Sequence, residues 1–284
     1  MSQKPLTQID LYEHGFIFQE LTKLYKQNKL PNKILLSGEK GIGKSTLAYH
    51  LINFVLSEDE DHAYDIENNK INSDNKSYKL VQNKSNPNFY LIDLAEDKKK
   101  IDINQIRELI INLNKSSFNL KNRFVLIDNI ELLNLNSVNA LLKILEEPNE
   151  NINFILINNN KRVLPTLKSR CLNFKIFLTK DQSIRIVNQL LHNDINTIID
   201  DNLLDYYSTP GKLFKLIKLS KEYNLDLANF DLNTTLTTMI KDKIYKKDKS
   251  IIEIIYSFIE LYFRNNISSE NISLLKSYHY FLEK

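Results

Sequence analysis

Short apolar runs alternate with helical patterns over the first 178 residues of the chain. The strands that this pattern predicts are 33–37, 88–93, 124–127 and 154–157, followed by a last strand in which Leu172, Phe174 and Ile176 alternate with polar residues. A helix is expected to begin after Asp102, because Gln105 three residues later completes a capping box. A further helix, 137–147, is expected to stop at Pro148. Buried strands that alternate with helices are typical of a parallel sheet covered on both faces, so we predict an α/β fold.

Strand patterns end near residue 178, and helical periodicity continues from there. The pair Pro210-Gly211 interrupts this helical region, and 250–263 is apolar around much of its circumference. Such a helix should be buried or packed on a partner. We therefore predict an α/β domain over 1–178, a small helical domain over 179–221 and a short helical domain over 222–284.

One segment of the predicted α/β domain, 57–85, is polar and rich in asparagine. It shows few apolar residues that could anchor it to a core. We predict that it is a flexible surface insertion.

Composition narrows the class of protein. The 38 basic and 35 acidic residues give a net charge of +3, so no strong overall field indicates nucleic acid as a direct partner, although a local basic patch stays possible. A single cysteine, Cys171, excludes an intrachain disulfide and a multi-cysteine zinc site, and the scattered histidines offer no pair at metal-ligand spacing. We expect a soluble, cytoplasmic protein without zinc, because no apolar run suits a membrane span or a signal peptide.

The clearest motif is GEKGIGKST at 38–46, which matches G-x-x-x-x-G-K-[ST] completely. A predicted strand precedes it and an apolar helical pattern follows it, as a phosphate-binding loop requires. In such a loop, backbone N–H groups surround the phosphates, Lys44 reaches the β and γ oxygens, and Ser45 binds Mg²⁺. The alternative is a glycine turn between two elements. The predicted residues for ATP with Mg²⁺ are Gly38, Gly41, Gly43, Lys44, Ser45 and Thr46.

Hydrolysis requires further groups beside the loop. Asp128 closes the strand 124–127 and suits a role with Ser45 in holding Mg²⁺, although it could instead cap a turn. The next residue is Asn129, where an active ATPase of this type usually carries glutamate, and an amide cannot accept the proton of the attacking water. Glu131 lies two positions further along and is the remaining candidate for that role.

Two more motifs, NALLKILEEP at 139–148 and LPTLKSRC at 164–171, indicate a family. In this order and at this spacing they resemble the clamp-loader ATPases of the AAA+ superfamily. The segments 86–90 and 208–211 make the chain most similar to the delta-prime subunits of bacterial DNA polymerase III. The resemblance covers about 10–220.

The resemblance implies a RecA-like AAA+ domain, a helical lid at 179–221 and a short helical collar at 222–284. It implies a subunit that helps to load the sliding clamp on primed DNA, together with delta and gamma or tau subunits, within a DNA-directed DNA polymerase (nucleotidyltransferase) holoenzyme. Arg170 would be an arginine finger acting in trans, or else a surface arginine at a strand start. Asn158 aligns with a residue that senses the γ-phosphate, or simply ends its strand. Cys171 is interpreted as a small apolar residue.

Three departures from the family pattern favour ATP binding without hydrolysis. Asn129 replaces the usual glutamate, no arginine lies near Gly211, and the segment 57–85 lacks the four cysteines of the zinc module in many relatives. Two alternatives remain at this point. The first is a gamma- or tau-like subunit that hydrolyses ATP itself, and the second is a small-molecule or nucleotide kinase that shares only the phosphate loop.

Overall fold

A computed structural model describes residues 4–95, 98–115, 121–146, 151–241, 243–246, 249–267 and 271–282. The chain divides into two compact units, Met1–Ile186 and Val187–Lys284. The predicted division of the helical region at 221 stays a prediction.

The first unit is built on a five-stranded sheet. Its strands are β1 (Lys33–Ser37), β2 (Phe89–Ile92), β3 (Arg123–Ile127), β4 (Ile152–Asn158) and β5 (Leu172–Lys175). All neighbouring strands are parallel, and their order is β2-β3-β4-β1-β5. The parallel α/β fold predicted from the strand pattern is confirmed.

Helices cover both faces of the sheet. They are α1 (Gly15–Lys26), α2 (Lys44–Leu56), α3 (Lys76–Gln82), α4 (Ile103–Leu113), α5 (Leu135–Glu146) and α6 (Pro165–Lys168). Helix α7 (Lys180–Leu191) follows the sheet in the chain and spans the division between the two units. Along β1, Ile34 and Leu36 pack with α1, α2 and α3, whereas Leu35 between them packs with α4 and α5. Because successive side chains of a strand face opposite sides, a continuous apolar run supplies two cores.

Helix α4 begins as predicted. The backbone N–H of Asp102 donates to Gln105 Oε1 at 3.2 Å, and the Asp102 carboxylate accepts from the N–H of Asn104 at 3.2 Å. Helix α5 extends to Glu146 in the described residues, and the predicted stop at Pro148 lies outside them.

The segment 57–85 corrects a prediction. Four of its side chains, those of Tyr64, Ile71, Tyr78 and Val81, are buried in the core against α1 and α2. Helix α3 lies within the segment, and Asn75 caps it by accepting a hydrogen bond of 2.7 Å from the N–H of Tyr78. Because these four side chains are buried, the prediction of a weakly anchored surface insertion was wrong. Their spacing along the chain is too irregular to form a helical or strand pattern, which is why the sequence did not reveal them.

The second unit is helical, as predicted. It contains the end of α7, then α8 (Asp201–Tyr206), α9 (Pro210–Tyr223), α10 (Leu232–Lys241), α11 (Lys249–Asn266) and α12 (Ile272–Leu282). In α11, Ile251, Ile254 and Phe258 are buried, while Tyr256 and Tyr262 are exposed. The expected burial therefore holds for one side of this helix. No helix in the described part of the chain is long and apolar enough to cross a membrane.

Candidate nucleotide-binding site

The phosphate loop connects β1 to α2, and its glycines are required by the backbone. Gly41 and Gly43 have φ angles of 92° and 93°, in the left-handed region where residues with a Cβ are strained. A Cβ on Gly38 would lie 2.3 Å from the carbonyl oxygen of Ile176. Residues 33–56 therefore form the strand, loop and helix that the motif and its flanks predict.

Lys44 points back into the loop. Its ammonium donates hydrogen bonds to the carbonyl oxygens of Gly38 at 2.9 Å and Glu39 at 2.5 Å. Burial lowers the pKa of Lys44 to about 8, against the opposing effect of the nearby Asp128, Glu131 and Glu39 carboxylates. A buried cation satisfied only by backbone carbonyls is well suited to exchange them for anionic phosphate oxygens.

Ser45 and Asp128, the two predicted magnesium ligands, lie together. Ser45 Oγ donates a hydrogen bond of 2.7 Å to Asp128 Oδ2. Burial raises the pKa of the Asp128 carboxyl, while the bonds from Ser45 and from the N–H of Asn129 oppose that shift. Hydroxyl and carboxylate oxygens are ligands that Mg²⁺ prefers, so the residues present fit this ion. Thr46 follows in the first turn of α2, where backbone N–H groups have no partner within the helix.

Asn129 is held by residues that follow the neighbouring strands. Its Nδ2 donates to Asp93 Oδ1 at 3.0 Å, and its Oδ1 accepts from Asn159 Nδ2 at 2.8 Å. Asn159 Nδ2 also lies 2.9 Å from Glu131 Oε1, to which it donates. The carboxylate of Glu131, the remaining candidate base, is thus engaged by an amide of the same chain.

Sequence reasoning did not assign Asp93 or Asn159 to the site. A signal for Asp93 was present, because it ends the predicted strand 88–93, and the carboxyl ends of parallel strands share one edge of the sheet. Asn159 stands one position after the candidate Asn158, so the pattern alone could not choose between them.

Asn158 contributes to the loop through its backbone. Its carbonyl oxygen accepts a hydrogen bond of 3.2 Å from the N–H of Gly38. Its side chain spans the following turn, accepting from the N–H of Lys161 at 3.2 Å and donating to the carbonyl of Lys161 at 3.1 Å. This arrangement favours the interpretation of Asn158 as a residue that ends its strand.

Arg170 lies near the amino ends of the strands, at the edge of the sheet opposite the phosphate loop. It precedes β5, whose first residue, Leu172, pairs with Ile34 near the start of β1. The loop begins at Gly38, so a strand rise of about 3.3 Å per residue separates the two edges by about 13 Å. The guanidinium of Arg170 donates to Glu146 Oε1 at 2.5 Å and to the carbonyl of Thr166 at 2.7 Å. The structure therefore does not bring Arg170 to the nucleotide site of its own chain.

Cys171, beside Arg170, is half-buried against the core that α4 and α5 form with the sheet. Burial raises the pKa of its thiol to about 11. Since the thiolate is the reactive form, this shift disfavours reactivity at neutral pH and supports the interpretation of Cys171 as a small apolar residue.

Residues 13–180 match the protein family described as DNA polymerase III, delta subunit, which covers more than half of the chain. The chain belongs to this family of clamp-loader subunits. Its similarity to a DNA polymerase III subunit gamma of Buchnera aphidicola is 26% identity over 224 residues, 78% of this chain and 59% of the relative. With the subunit delta' of Pseudomonas aeruginosa, identity is 33% over 138 residues, 48% of this chain and 40% of the relative.

Among solved structures, a DNA polymerase III gamma subunit-related protein of Thermotoga maritima aligns with 90% of this clamp-loader subunit and 76% of its own chain, at 19% identity and a TM-score of 0.47. The aligned sequence segments span about half the length of the two curated relatives. Those relatives carry two different subunit names, so the choice between gamma and delta-prime depends on the site itself.

Proposed function

We propose that this clamp-loader subunit takes the delta-prime position, binds ATP without hydrolysing it, and supplies Arg170 to the nucleotide site of a neighbouring subunit. It would assemble in the cytoplasm with delta and gamma or tau subunits, and act on the sliding clamp and primer-template DNA through that complex. The single observation that carries this proposal is the position of Arg170, at the edge of the sheet opposite its own phosphate loop.

Nucleotide binding is supported by the loop geometry. Gly38, Gly41 and Gly43 form the loop, Lys44 lies inside it, and Ser45 meets Asp128 beside it. When bound, Mg²⁺ would neutralise charge on the phosphates, with Ser45 and Asp128 as the residues that hold it. Calorimetry with Mg-ADP should show binding that Lys44→Ala weakens at least about tenfold, because a charged hydrogen bond contributes about 1.5–3 kcal/mol. Lys29→Ala, at an exposed lysine, is the control.

The absence of hydrolysis is proposed from the surroundings of Asn129. Its amide is fixed between Asp93 and Asn159, and Glu131 is bonded to the same Asn159. Asn129 has no carboxylate, and both carboxylate oxygens of Glu131 accept hydrogen bonds from Asn159, which competes with a water molecule for them. The purified chain should therefore turn over ATP negligibly, and Glu131→Gln should leave that background unchanged. Robust turnover that Glu131→Gln abolishes would show a gamma- or tau-like subunit instead.

Assistance in trans is proposed from the contacts of Arg170. The guanidinium is half-buried and oriented by Glu146 and Thr166, and its planar fork suits phosphate oxygens. In a reconstituted loader, Arg170→Ala should leave folding, assembly and this chain's own nucleotide affinity unchanged. The DNA-stimulated ATPase and clamp loading should fall, by about 10³-fold or more at the one site served.

Two comparisons make this test decisive. Arg170→Lys should rescue poorly, because an ammonium is a point charge without the paired donors of a guanidinium. Arg162→Ala, at an exposed arginine that precedes the same motif, is the matched control. An unchanged loading rate in a well-folded Arg170→Ala complex would reject the role in trans.

The subunit is further proposed to function without structural zinc. Four cysteine or histidine ligands are typical of such a site, and 57–85 offers His62 and no cysteine. Elemental analysis of the dialysed protein should give far less than one zinc per chain, and stoichiometric zinc would contradict this proposal.

A further inference from the structure

His14 contacts the phosphate loop, although it stands outside the motif. Its Nε2 lies 2.6 Å from the carbonyl oxygen of Ile42, the residue between Gly41 and Gly43. A carbonyl oxygen can only accept, so Nε2 carries the proton and donates. The side chain is buried, with 5% of the residue exposed. A buried imidazole that donates to the centre of the loop restricts how that peptide can turn.

The same ring limits the space beside Gly43. A Cβ built on Gly43 would approach His14 Nε2 to 3.0 Å and Cδ2 to 3.3 Å. The imidazole therefore packs on the backbone of the loop at Gly43, which immediately precedes α2 and has a φ of 93°. Through one hydrogen bond and one packing contact, His14 supports the left-handed conformation of the loop from outside.

The turn that presents His14 has an unusual backbone. Glu13 has a φ of 59°, a conformation that costs a residue with a Cβ about 1 kcal/mol or more. Arg185 binds the Glu13 carboxylate with two hydrogen bonds, at 2.8 and 3.0 Å, and so stabilises this turn. Gly15 follows, where a Cβ would lie 3.2 Å from Asn69 Nδ2. This ion pair thus helps to fix the turn from which His14 reaches the phosphate loop.

We infer that His14 is a positioning residue, which holds the phosphate loop in its nucleotide-binding conformation by donating to Ile42 and packing on Gly43. This inference rests on the proposed binding of nucleotide. It assigns the preorganisation of the loop to a side chain in the segment before β1. Because a preorganised loop does not have to become ordered when the nucleotide binds, the affinity for nucleotide is higher.

Three variants separate the hydrogen bond from the volume of the ring. His14→Gln keeps an N–H donor of similar reach, His14→Phe keeps a ring without a donor, and His14→Ala removes both. The control is His50→Gln, which replaces a buried imidazole that bonds to Tyr64 and Gln8 rather than to the loop. Melting temperature, amide hydrogen exchange of 41–44 without nucleotide, and the Kd for Mg-ADP are measured for each.

The expected result is faster exchange at 41–44 in His14→Phe and His14→Ala, with affinity for Mg-ADP about tenfold weaker. His14→Gln should restore both quantities to within about threefold of the wild type. If His14→Ala does not fold, the Gln and Phe variants carry the comparison. Unchanged exchange and affinity in His14→Phe would overturn the inference, as would an equal loss in all three variants.

The exchange measurement also separates this inference from the proposed function. A wild-type chain that fails to bind Mg-ADP would reject the proposed nucleotide binding. In that case, faster exchange at 41–44 in His14→Phe, rescued by His14→Gln, would still support the positioning role, and wild-type exchange would still reject it.

Discussion

The hydroxyl of Ser45 donates a hydrogen bond of 2.7 Å to Asp128, across 83 positions of the chain. Ser45 lies in the first turn of α2, which the phosphate loop connects to β1, and Asp128 follows β3. The two residues meet because the carboxyl ends of the parallel strands β1 and β3 lie at the same edge of the sheet, with only β4 between them. This pairing places a hydroxyl and a carboxylate beside the buried ammonium of Lys44. The site thus has both parts that a magnesium nucleotide requires, a cation for the phosphates and oxygen ligands for the metal.

The first prediction concerns this pair. Asp128→Asn and Ser45→Ala should each reduce the gain in nucleotide affinity that Mg²⁺ provides by about tenfold, because each removes an oxygen ligand or the charge that holds one. Affinity measured with EDTA should change little. Asp59→Asn, at an exposed carboxylate, is the control. Full enhancement by Mg²⁺ in both variants would show that the metal is held elsewhere.

The second prediction concerns Glu146, which holds the guanidinium of Arg170 at 2.5 Å. Both side chains are partly exposed, so Glu146→Gln should change the free energy of unfolding by less than about 1 kcal/mol. In the reconstituted loader, the variant should lower the DNA-stimulated ATPase, but less than Arg170→Ala does, because Arg170 is retained without its orienting partner.

The control for this second prediction is Glu253→Gln, which removes another exposed ion pair, that with Lys215. If Glu146→Gln and Glu253→Gln have the same effect on the loader, Glu146 does not orient Arg170.

The third prediction concerns the segment 57–85. Tyr64 packs against the rings of Phe18 and His50, with centroids 4.9 and 5.5 Å away. Tyr64→Ala should therefore lower the free energy of unfolding by about 3 kcal/mol or more, as for other buried aromatic residues. Phe16→Ala, at a side chain that is 76% exposed, should cost far less. Amides of α3 that exchange as fast as an unfolded peptide would contradict the packed segment.

The fourth prediction concerns pH. Burial lowers the pKa of His50 from 6.5 to about 4, so between these values the unfolded chain binds a proton that the folded chain does not. The contribution of His50 to the free energy of unfolding is therefore fully present above about pH 6.5 and is lost as the pH falls towards 4. The loss from this residue is at most about 3 kcal/mol. Denaturant unfolding measured across this range should show the decline, reduced in His50→Gln. His62→Gln, the same substitution at an exposed histidine, is the control. An unchanged decline in His50→Gln would place its origin elsewhere.

Several features of the fold and site follow from short stretches of sequence. The strands, the capping box of Asp102 and the loop 38–46 are visible because hydrophobic period, capping and glycine geometry act over a few neighbouring residues. The bounds of β1 agree with the prediction, and Ser45 and Asp128 were assigned to one site from a motif and a strand end. In the same way, Asn129 was recognised at the position after Asp128.

The tertiary structure decided what depends on distant parts of the chain. Strand order brings Asp93 and Asn159 to Asn129, and the parallel register sets Arg170 at the far edge from Gly38. The packing of 57–85 and the contact of His14 with Ile42 also join residues far apart in sequence. A local pattern specifies which face of an element is apolar, but not which element covers it. The sequence by itself therefore determined the elements and the phosphate loop, while the tertiary structure determined which side chains hold that loop and which face away from it.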